Sequence, residues 1–292
     1  MSKSLPKITF KSRIELDIEV MTLSETYQKL KGIDDHDPFK AHKIQFYFIV
    51  VVSKGSYKHY VDFQFYNLNE GSVLFIAKNQ VHHFTENMKH AEGFCIVLNS
   101  VFFEQHYFLS KNVNLNRLYN YHLESPVIHK EDLGEDNFVG VAHTLYNEYH
   151  FDNNFLKGDM LRALLQVFLL KAERAKENKA INSAKIHWLE TFSDFKNMLQ
   201  TDYIITRSSR AYASKLFISY KLLNDILKEL TGKTVKSFID DFVTMEIKRY
   251  LVSTSLSIKE VSYKTGFEEP ANMIKFFKKN TQKTPLQFRS QF

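Results

Sequence analysis

Lys228-Glu229-Leu230-Thr231-Gly232-Lys233-Thr234 returns fifty residues later as Lys278-Lys279-Asn280-Thr281-Gln282-Lys283-Thr284, with lysine, threonine, lysine and threonine kept in place. The same offset pairs Phe217 with Phe267, Leu223 with Met273, Ile226 with Phe276 and Leu227 with Phe277. Polar and apolar positions therefore recur under one shift. The segment reads as two copies of one supersecondary unit, each a helix, a short turn and a second helix.

The second copy carries the clearer punctuation. Ser257-Ile258-Lys259-Glu260 has the form of a capping box, in which the serine oxygen and the glutamate carboxylate satisfy unpaired N–H groups at a helix start. Gly266 suits the left-handed position that ends such a helix, and Glu269-Pro270 opens the next, where proline costs no hydrogen bond. In that second helix Met273, Phe276 and Phe277 face a core, while Asn272, Lys275 and Lys279 share the opposite face. The first copy behaves alike, with Leu223, Ile226, Leu227 and Leu230 inside, Lys221, Asn224, Asp225 and Lys228 outside, and Gly232 closing the helix. Lysines on an outer helix face are the norm for solvated surfaces, so each helix alone says little. Their spacing says more. Between the copies, Val235 to Val252 reads as a helix of 18 residues through Phe238, Ile239, Phe242, Ile247 and Leu251. It would be about 27 Å long, and successive major grooves on one face of B-DNA lie about 34 Å apart.

Charge agrees with a polyanion partner for this half. Up to Trp188 the chain has 22 basic and 22 acidic residues, and after it 17 and 11, so the whole net charge of +6 sits in the C-terminal part. All 12 histidines fall before Trp188.

In the N-terminal half, about Phe46 to Val97 is rich in β-branched and aromatic residues broken by turn signals such as Ser53-Lys54-Gly55 and Asn67 to Gly71, the pattern of an antiparallel sandwich or barrel. Phe46 to Val52 alternates poorly, which predicts burial on both faces. Tyr57 to Tyr66 reads as one strand, with Val61, Phe63 and Phe65 on one face. From Phe155 to Arg174 the period becomes helical, and Leu161, Leu164, Leu165, Phe168 and Leu169 form a stripe. That stripe must be buried against the barrel or against the same helix of a second subunit, or both for different sides, and its five residues are the candidate dimer helix. Ala172 to Lys185 is polar without a stripe.

The organisation expected is thus an α+β chain of two domains. Residues 1–172 form an antiparallel β-barrel with helices, 173–188 a linker, and 189–292 an all-α domain of two helix-turn-helix units joined by a long helix. The single cysteine, Cys95, excludes an internal disulfide framework and reads as a small core residue. No apolar run reaches the length of a membrane span, and the expected location is the cytoplasm. With 9 glycines and no Walker loop, G-x-G-x-x-G or serine–histidine–acid order, nothing points to catalysis.

Ser208 to Arg289 resembles the DNA-binding module of the AraC-type (AraC/XylS) bacterial transcription regulators. The resemblance is carried by Leu256 to Val261, Gly266-Phe267, Phe276 to Lys279, Thr284-Pro285 and Phe288-Arg289. It implies double-stranded DNA as partner, with base-reading positions at Tyr220, Lys221, Asn224, Asp225, Ala271, Asn272 and Lys275. Lysine suits guanine and asparagine suits adenine, whereas Asp225 can accept only from cytosine and repels phosphate. Phosphate contacts fall on Ser219, Lys228, Lys278, Lys279 and Lys283. The chain departs from the family at Phe242, where an arginine is usual, at Gln282 in place of glycine, and at Asn272-Met273 in place of an aromatic pair.

Glu70 to Ile76 and Val81-His82-His83-Phe84 resemble, more weakly, the cupin-like barrel that many such regulators use for effector binding. The resemblance implies a small organic effector, with His42, Tyr47, His59, Phe63 and His82 as lining residues, and a homodimer. If the chain is an activator, RNA polymerase is a further partner. Cupin enzymes hold a metal with an H-x-H, a glutamate and a later histidine; adjacent His82-His83 departs from that, because neighbours on a strand point to opposite faces. No metal or other cofactor is expected. Two other readings stay open at this point. One is a cupin-type metalloenzyme with a basic accessory domain, the other a DNA-coating protein without sequence preference.

Overall fold

The computed structural model describes residues 7–9, 16–32, 37–99, 125–132, 137–177 and 186–291. The chain divides into two compact units, one ending at Ile181 and the other beginning at Asn182.

Among the described residues, the N-terminal unit has two five-stranded sheets. One has the order β1 (Lys7–Ile8), β3 (His42–Ile44), β8 (Val81–His83), β5 (Ser56–Val61), β6 (Gln64–Asn69), and the other β10 (Val127–Ile128), β7 (Val73–Ile76), β4 (Tyr47–Lys54), β9 (Glu92–Leu98), β2 (Ile18–Thr22). Pairing is antiparallel except between β1 and β3. Helix α1 (Leu23–Lys31) opens with a capping box of Thr22 and Glu25.

Strand β4 is buried on both faces, as its poor alternation predicts. Phe48, Val50 and Val52 join Leu74, Ile76, Cys95 and Val97 inside the barrel. Ile49 and Val51 join Val73, Phe75 and Ile96 under α2 (Phe138–His150) and α3 (Lys157–Glu177). Cys95 is a core residue, its thiol pushed up to about 12 by burial.

Two expectations for this unit are corrected. Tyr57 to Tyr66 is a hairpin rather than one strand: Asp62 and Phe63 both take positive φ, 44° and 72°, and turn β5 into β6. Two consecutive positive φ values are what a tight hairpin matched to strand twist requires. The Asp62 carboxylate fixes the turn by accepting from Gln80 Nε2 at 2.7 Å and from the Val81 amide at 3.1 Å. Phe65 is consequently exposed while Val61 is buried. The second correction concerns α3. Leu161, Leu165, Phe168 and Leu169 are buried in the core of their own unit, with Leu164 packed at its edge, so this stripe is not available as a dimer seam. Phe168 sits edge-on to Phe138 with centroids 4.9 Å apart. The helix also runs on to Glu177, with Ala172 and Ala175 in the core, so the first residues of the expected linker are helical.

The C-terminal unit comprises α4 (Ile186–Asp202), α5 (Ser209–Lys215), α6 (Tyr220–Thr231), α7 (Val235–Ser253), α8 (Ile258–Lys264), α9 (Pro270–Thr281) and α10 (Pro285–Arg289). Side-chain caps start α5, α6, α7, α8 and α10. Helix α7 has 19 residues, about 28 Å at 1.5 Å per residue, and its Phe238, Ile239, Phe242 and Ile247 are buried.

The internal repeat holds for helices and slips by one residue in the turn. Helices α6 and α9 keep the offset of 50, but the N–H of Ile218 donates to Ala213 O as that of Phe267 donates to Ser262 O, an offset of 49. Phe217 therefore corresponds to Gly266, not Phe267, and both carry positive φ, 56° and 74°. A left-handed phenylalanine is unfavourable relative to glycine, and Phe217 is 96% exposed, with little packing to offset it. Relief of the roughly 1–2 kcal/mol left-handed cost outweighs the roughly 0.4–1 kcal/mol of unfolded-state entropy that a glycine adds. Phe217→Gly is therefore expected to raise the stability of this unit by about 0.5–1 kcal/mol, read from urea unfolding followed by Trp188 fluorescence; an unchanged or lower midpoint would refute the strain.

Candidate DNA interface and effector cavity

Each helix-turn-helix presents one solvent-facing helix. In α6, Ser219 accepts from the Leu222 amide, so the first turn begins at an exposed serine followed by exposed Tyr220 and Lys221, with Asp225 one turn on. Leu223, Ile226 and Leu227 hold the other face in the core. In α9, Met273 and Phe277 are buried, and Ala271, Asn272, Lys275, Lys278 and Lys279 are exposed. Lys228 and Lys283 are exposed as well.

Asn224 departs from its expected role. It is half-buried, and its Oδ1 accepts from the Val235 amide at 3.2 Å, tying α6 to the start of α7. Bidentate reading of adenine needs that oxygen as an acceptor, so Asn224 is better described as a brace between the helices.

The sequence reading missed Arg207. Its guanidinium lies 3.4 Å from the centroid of the Phe267 ring and donates from Nη2 to Thr265 O at 2.8 Å. It thereby clamps the turn of the second unit from a residue just before the first. Arg289 does similar work, donating from Nε to Leu251 O near the end of α7. Neither contact leaves a local sequence signal, since each joins residues far apart in the chain.

In the N-terminal unit a cavity of about 190 Å³ opens between the sheets and α1, bordered by His42, His82, Phe46, Phe48, Phe84 and the Glu19–Lys29 pair, among others. Glu19 and Lys29 lie 2.6 Å apart. Of the residues expected to line such a cavity, His42 and His82 do. His59 is fully buried behind His82, with its Nε2 3.0 Å from His82 Nδ1. Tyr47 packs on the helix side of the sheet, and Phe63 sits in the β5–β6 turn against Tyr60. Burial holds both central histidines neutral, pushing His59 down to about 3 and His82 well below the usual imidazole range, with repulsion from neighbouring histidines adding to it. Among the described residues no group of three or more histidine, cysteine or carboxylate side chains is arranged to hold a metal ion, and no helix is long and apolar enough to cross a membrane.

Two helix-turn-helix units on a common long helix, preceded by a barrel with a cavity, define a DNA-binding transcription regulator with a ligand-binding domain. Comparison with known proteins supports the class: a family model described as an AraC-like ligand binding domain matches residues 30–95, and one described as a helix-turn-helix domain matches residues 212–291. The HTH-type transcriptional activator RhaS of Escherichia coli, in strains HS and K12, is 22% identical over 259 residues, covering 86% of this chain and 87% of that protein. Among solved structures, the C-terminal domain of the response regulator yesN from Fusobacterium nucleatum is 24% identical, covering 34% of this chain and 98% of its own, with a TM-score of 0.32. An AraC-type regulator from Chromobacterium violaceum is 16% identical, covering 35% of this chain and 92% of its own, with a TM-score of 0.33. The chain belongs to the AraC family of transcription regulators, which is a family of regulators and not of enzymes.

Proposed function

We propose that the chain reads a two-part DNA site, one half with α6 and the other with α9, and that a small organic molecule in the barrel cavity controls this binding. The observation that carries the reading is the pair of outward-facing helices, α6 capped by Ser219 and α9 opened by Pro270, packed with the 19-residue α7. Tyr220, Lys221 and Asp225 on α6, and Ala271, Asn272 and Lys275 on α9, are assigned to bases; their exposure supports this. Ser219, Lys228, Lys278, Lys279 and Lys283 are assigned to phosphates, where they set affinity and register without reading sequence. Sequence preference of this kind separates the reading from a DNA-coating protein, for which random and selected sites would bind alike.

The chain works as a homodimer through the exposed row Met160, Ala163, Val167 and Leu170 of α3, spaced three, four and three residues apart, which supports a helix-to-helix seam. We place it in the cytoplasm, where its DNA lies, with the unit that includes α3 as the effector segment, the unit that begins with α4 as the DNA-binding segment, and the residues between these two helices linking them. Following the name of its RhaS relatives, we assign it the role of activator, with RNA polymerase as protein partner.

Selection of duplexes by the full chain from a random library tests the reading. A motif of two halves about one helical turn apart, preferred roughly a thousandfold over scrambled DNA at near-physiological salt, is expected; absence of an enriched motif would refute it. The face assignments make a finer prediction. Lys275→Ala should weaken binding by about 1–3 kcal/mol and relax preference at one base position. Lys279→Ala should weaken all duplexes alike and lower the salt slope by about one phosphate equivalent. Equal losses on selected and random DNA for both variants would overturn the distinction.

A further inference from the structure

Three buried side chains of the barrel form a chain of hydrogen bonds that ends at the cavity. Tyr57 Oη lies 3.2 Å from His59 Nδ1, and His59 Nε2 lies 3.0 Å from His82 Nδ1. Tyr57 and His59 are buried away from the cavity, whereas His82, itself only 2% exposed, borders it.

The direction of this chain follows from what each group can donate. His59 is the hydrogen-bond partner of the Tyr57 hydroxyl, which is buried and holds its proton because burial raises its pKa. A buried O–H without an acceptor is costly, so Tyr57 donates to His59 Nδ1. Neutral His59 then carries its proton on Nε2 and donates to His82 Nδ1. Neutral His82 must carry its own proton on Nε2, and that atom has no hydrogen-bond partner within the protein. His82 borders the cavity, and with Nδ1 engaged by His59, Nε2 is the ring nitrogen left for a ligand.

The surroundings limit what that donor can meet. Phe46, Phe48 and Phe84 supply an apolar wall, and the charges at the border, Glu19 and Lys29, are paired with each other. A carboxylate would lose its hydration here without gaining a free counter-charge, and a sugar would leave several hydroxyls facing aromatic rings. A volume of about 190 Å³ compares with the 150 Å³ or so of an apolar cavity that takes up benzene.

We propose that the cavity binds a compact, mostly apolar, neutral carbonyl compound of about one ring in size, whose oxygen accepts a hydrogen bond from His82 Nε2. Tyr57 and His59 act as positioning residues that fix the tautomer of His82. This deepens the effector reading given above and rests on it for its biological meaning, not for its chemistry.

Titration calorimetry on the full-length chain tests it, with acetophenone as probe against ethylbenzene, which has a similar shape without the oxygen, and against benzoate and glucose. Acetophenone is expected to bind at least tenfold more tightly than each of the other three. His82→Leu should reduce the acetophenone-to-ethylbenzene ratio to near one while ethylbenzene still binds within about threefold. Tyr57→Phe, which frees the tautomer, should lower the ratio without abolishing it, an effect that simple loss of packing would not produce. Equal binding of the two aromatic probes, tighter binding of benzoate or glucose, or no binding at millimolar concentration would overturn the proposal. Affinity for the selected DNA, measured with and without acetophenone, separates the two readings. Binding with the expected ratio but unchanged DNA affinity keeps the ligand class and removes acetophenone as an effector. Glucose binding that changes DNA affinity keeps effector control and removes the ligand class.

Discussion

Gly266→Ala is expected to disable the second helix-turn-helix while leaving the barrel intact. Gly266 has φ +74°, and an added Cβ would stand 2.2 Å from Ile204 O and 2.6 Å from Ile204 Cα. Both obstacles are backbone atoms, so no side-chain rotation relieves them. The left-handed conformation alone costs alanine about 1–2 kcal/mol, and forced repacking of a tight contact adds about 1–3 kcal/mol. A loss of about 2–5 kcal/mol follows, large against the total of about 5–15 kcal/mol for a domain. The damage centres where α8, α9 and the loop after α4 meet, beside the Arg207 clamp on Phe267 and Thr265. Trp188 starts in α4, so its fluorescence follows this unit, and its urea midpoint should fall. Selected duplexes should keep only the half of the motif read by α6, with affinity near that for random DNA. Gly232→Ala provides the comparison: it shares positive φ, but nothing stands within 4 Å of its added Cβ, so only the conformational part of the cost remains. Equal losses for the two variants would show that the contact with Ile204 does not matter.

The features legible in the sequence were those whose cause is local. Ser257 and Glu260 form their reciprocal cap, Pro270 starts α9, and Gly232 and Gly266 hold positive φ because short-range chemistry dictates each of them. The double-faced burial of β4 was equally legible, since a strand covered on both sides cannot alternate. What escaped was decided across distance. The hairpin at Asp62-Phe63 lacks a glycine, and it depends on Gln80 and Val81 to hold the carboxylate. The repeat paired Phe217 with Phe267 because both are phenylalanines, while the backbone hydrogen bonds count one residue fewer in the first turn. Asn224 lay on the outer face by periodicity, yet its oxygen is occupied by the next helix. The histidines of the cavity could be named but not ordered, because the relay through Tyr57 depends on the pairing of β5 with β8.

Helix α3 supplies the other large effect, because two adjacent residues are expected to behave in opposite ways. Phe168 is fully buried between Phe138 and Phe75, with centroids 4.9 and 6.4 Å away. Truncation to alanine removes most of a ring from a closed core, and Phe168→Ala should cost about 3–5 kcal/mol of barrel stability. Val167 is 46% exposed on the row with Met160, Ala163 and Leu170. Val167→Asp touches no core, so the stability of the dissociated barrel should change by no more than about 0.5 kcal/mol. A carboxylate facing its own copy across an apolar seam is, however, both desolvated and repelled, and the dimer should dissociate at concentrations where the unaltered chain is paired. Sedimentation equilibrium of the full chain at micromolar concentration reads the second effect, and far-ultraviolet unfolding in urea reads the first. The pair discriminates because stability and assembly are set by different faces of one helix: the face with Leu161, Leu165, Phe168 and Leu169 builds the barrel core, and only the opposite face is left for a partner. A Val167→Asp chain that remains dimeric would remove α3 as the seam, whereas a Phe168→Ala chain of normal barrel stability would contradict the packing itself.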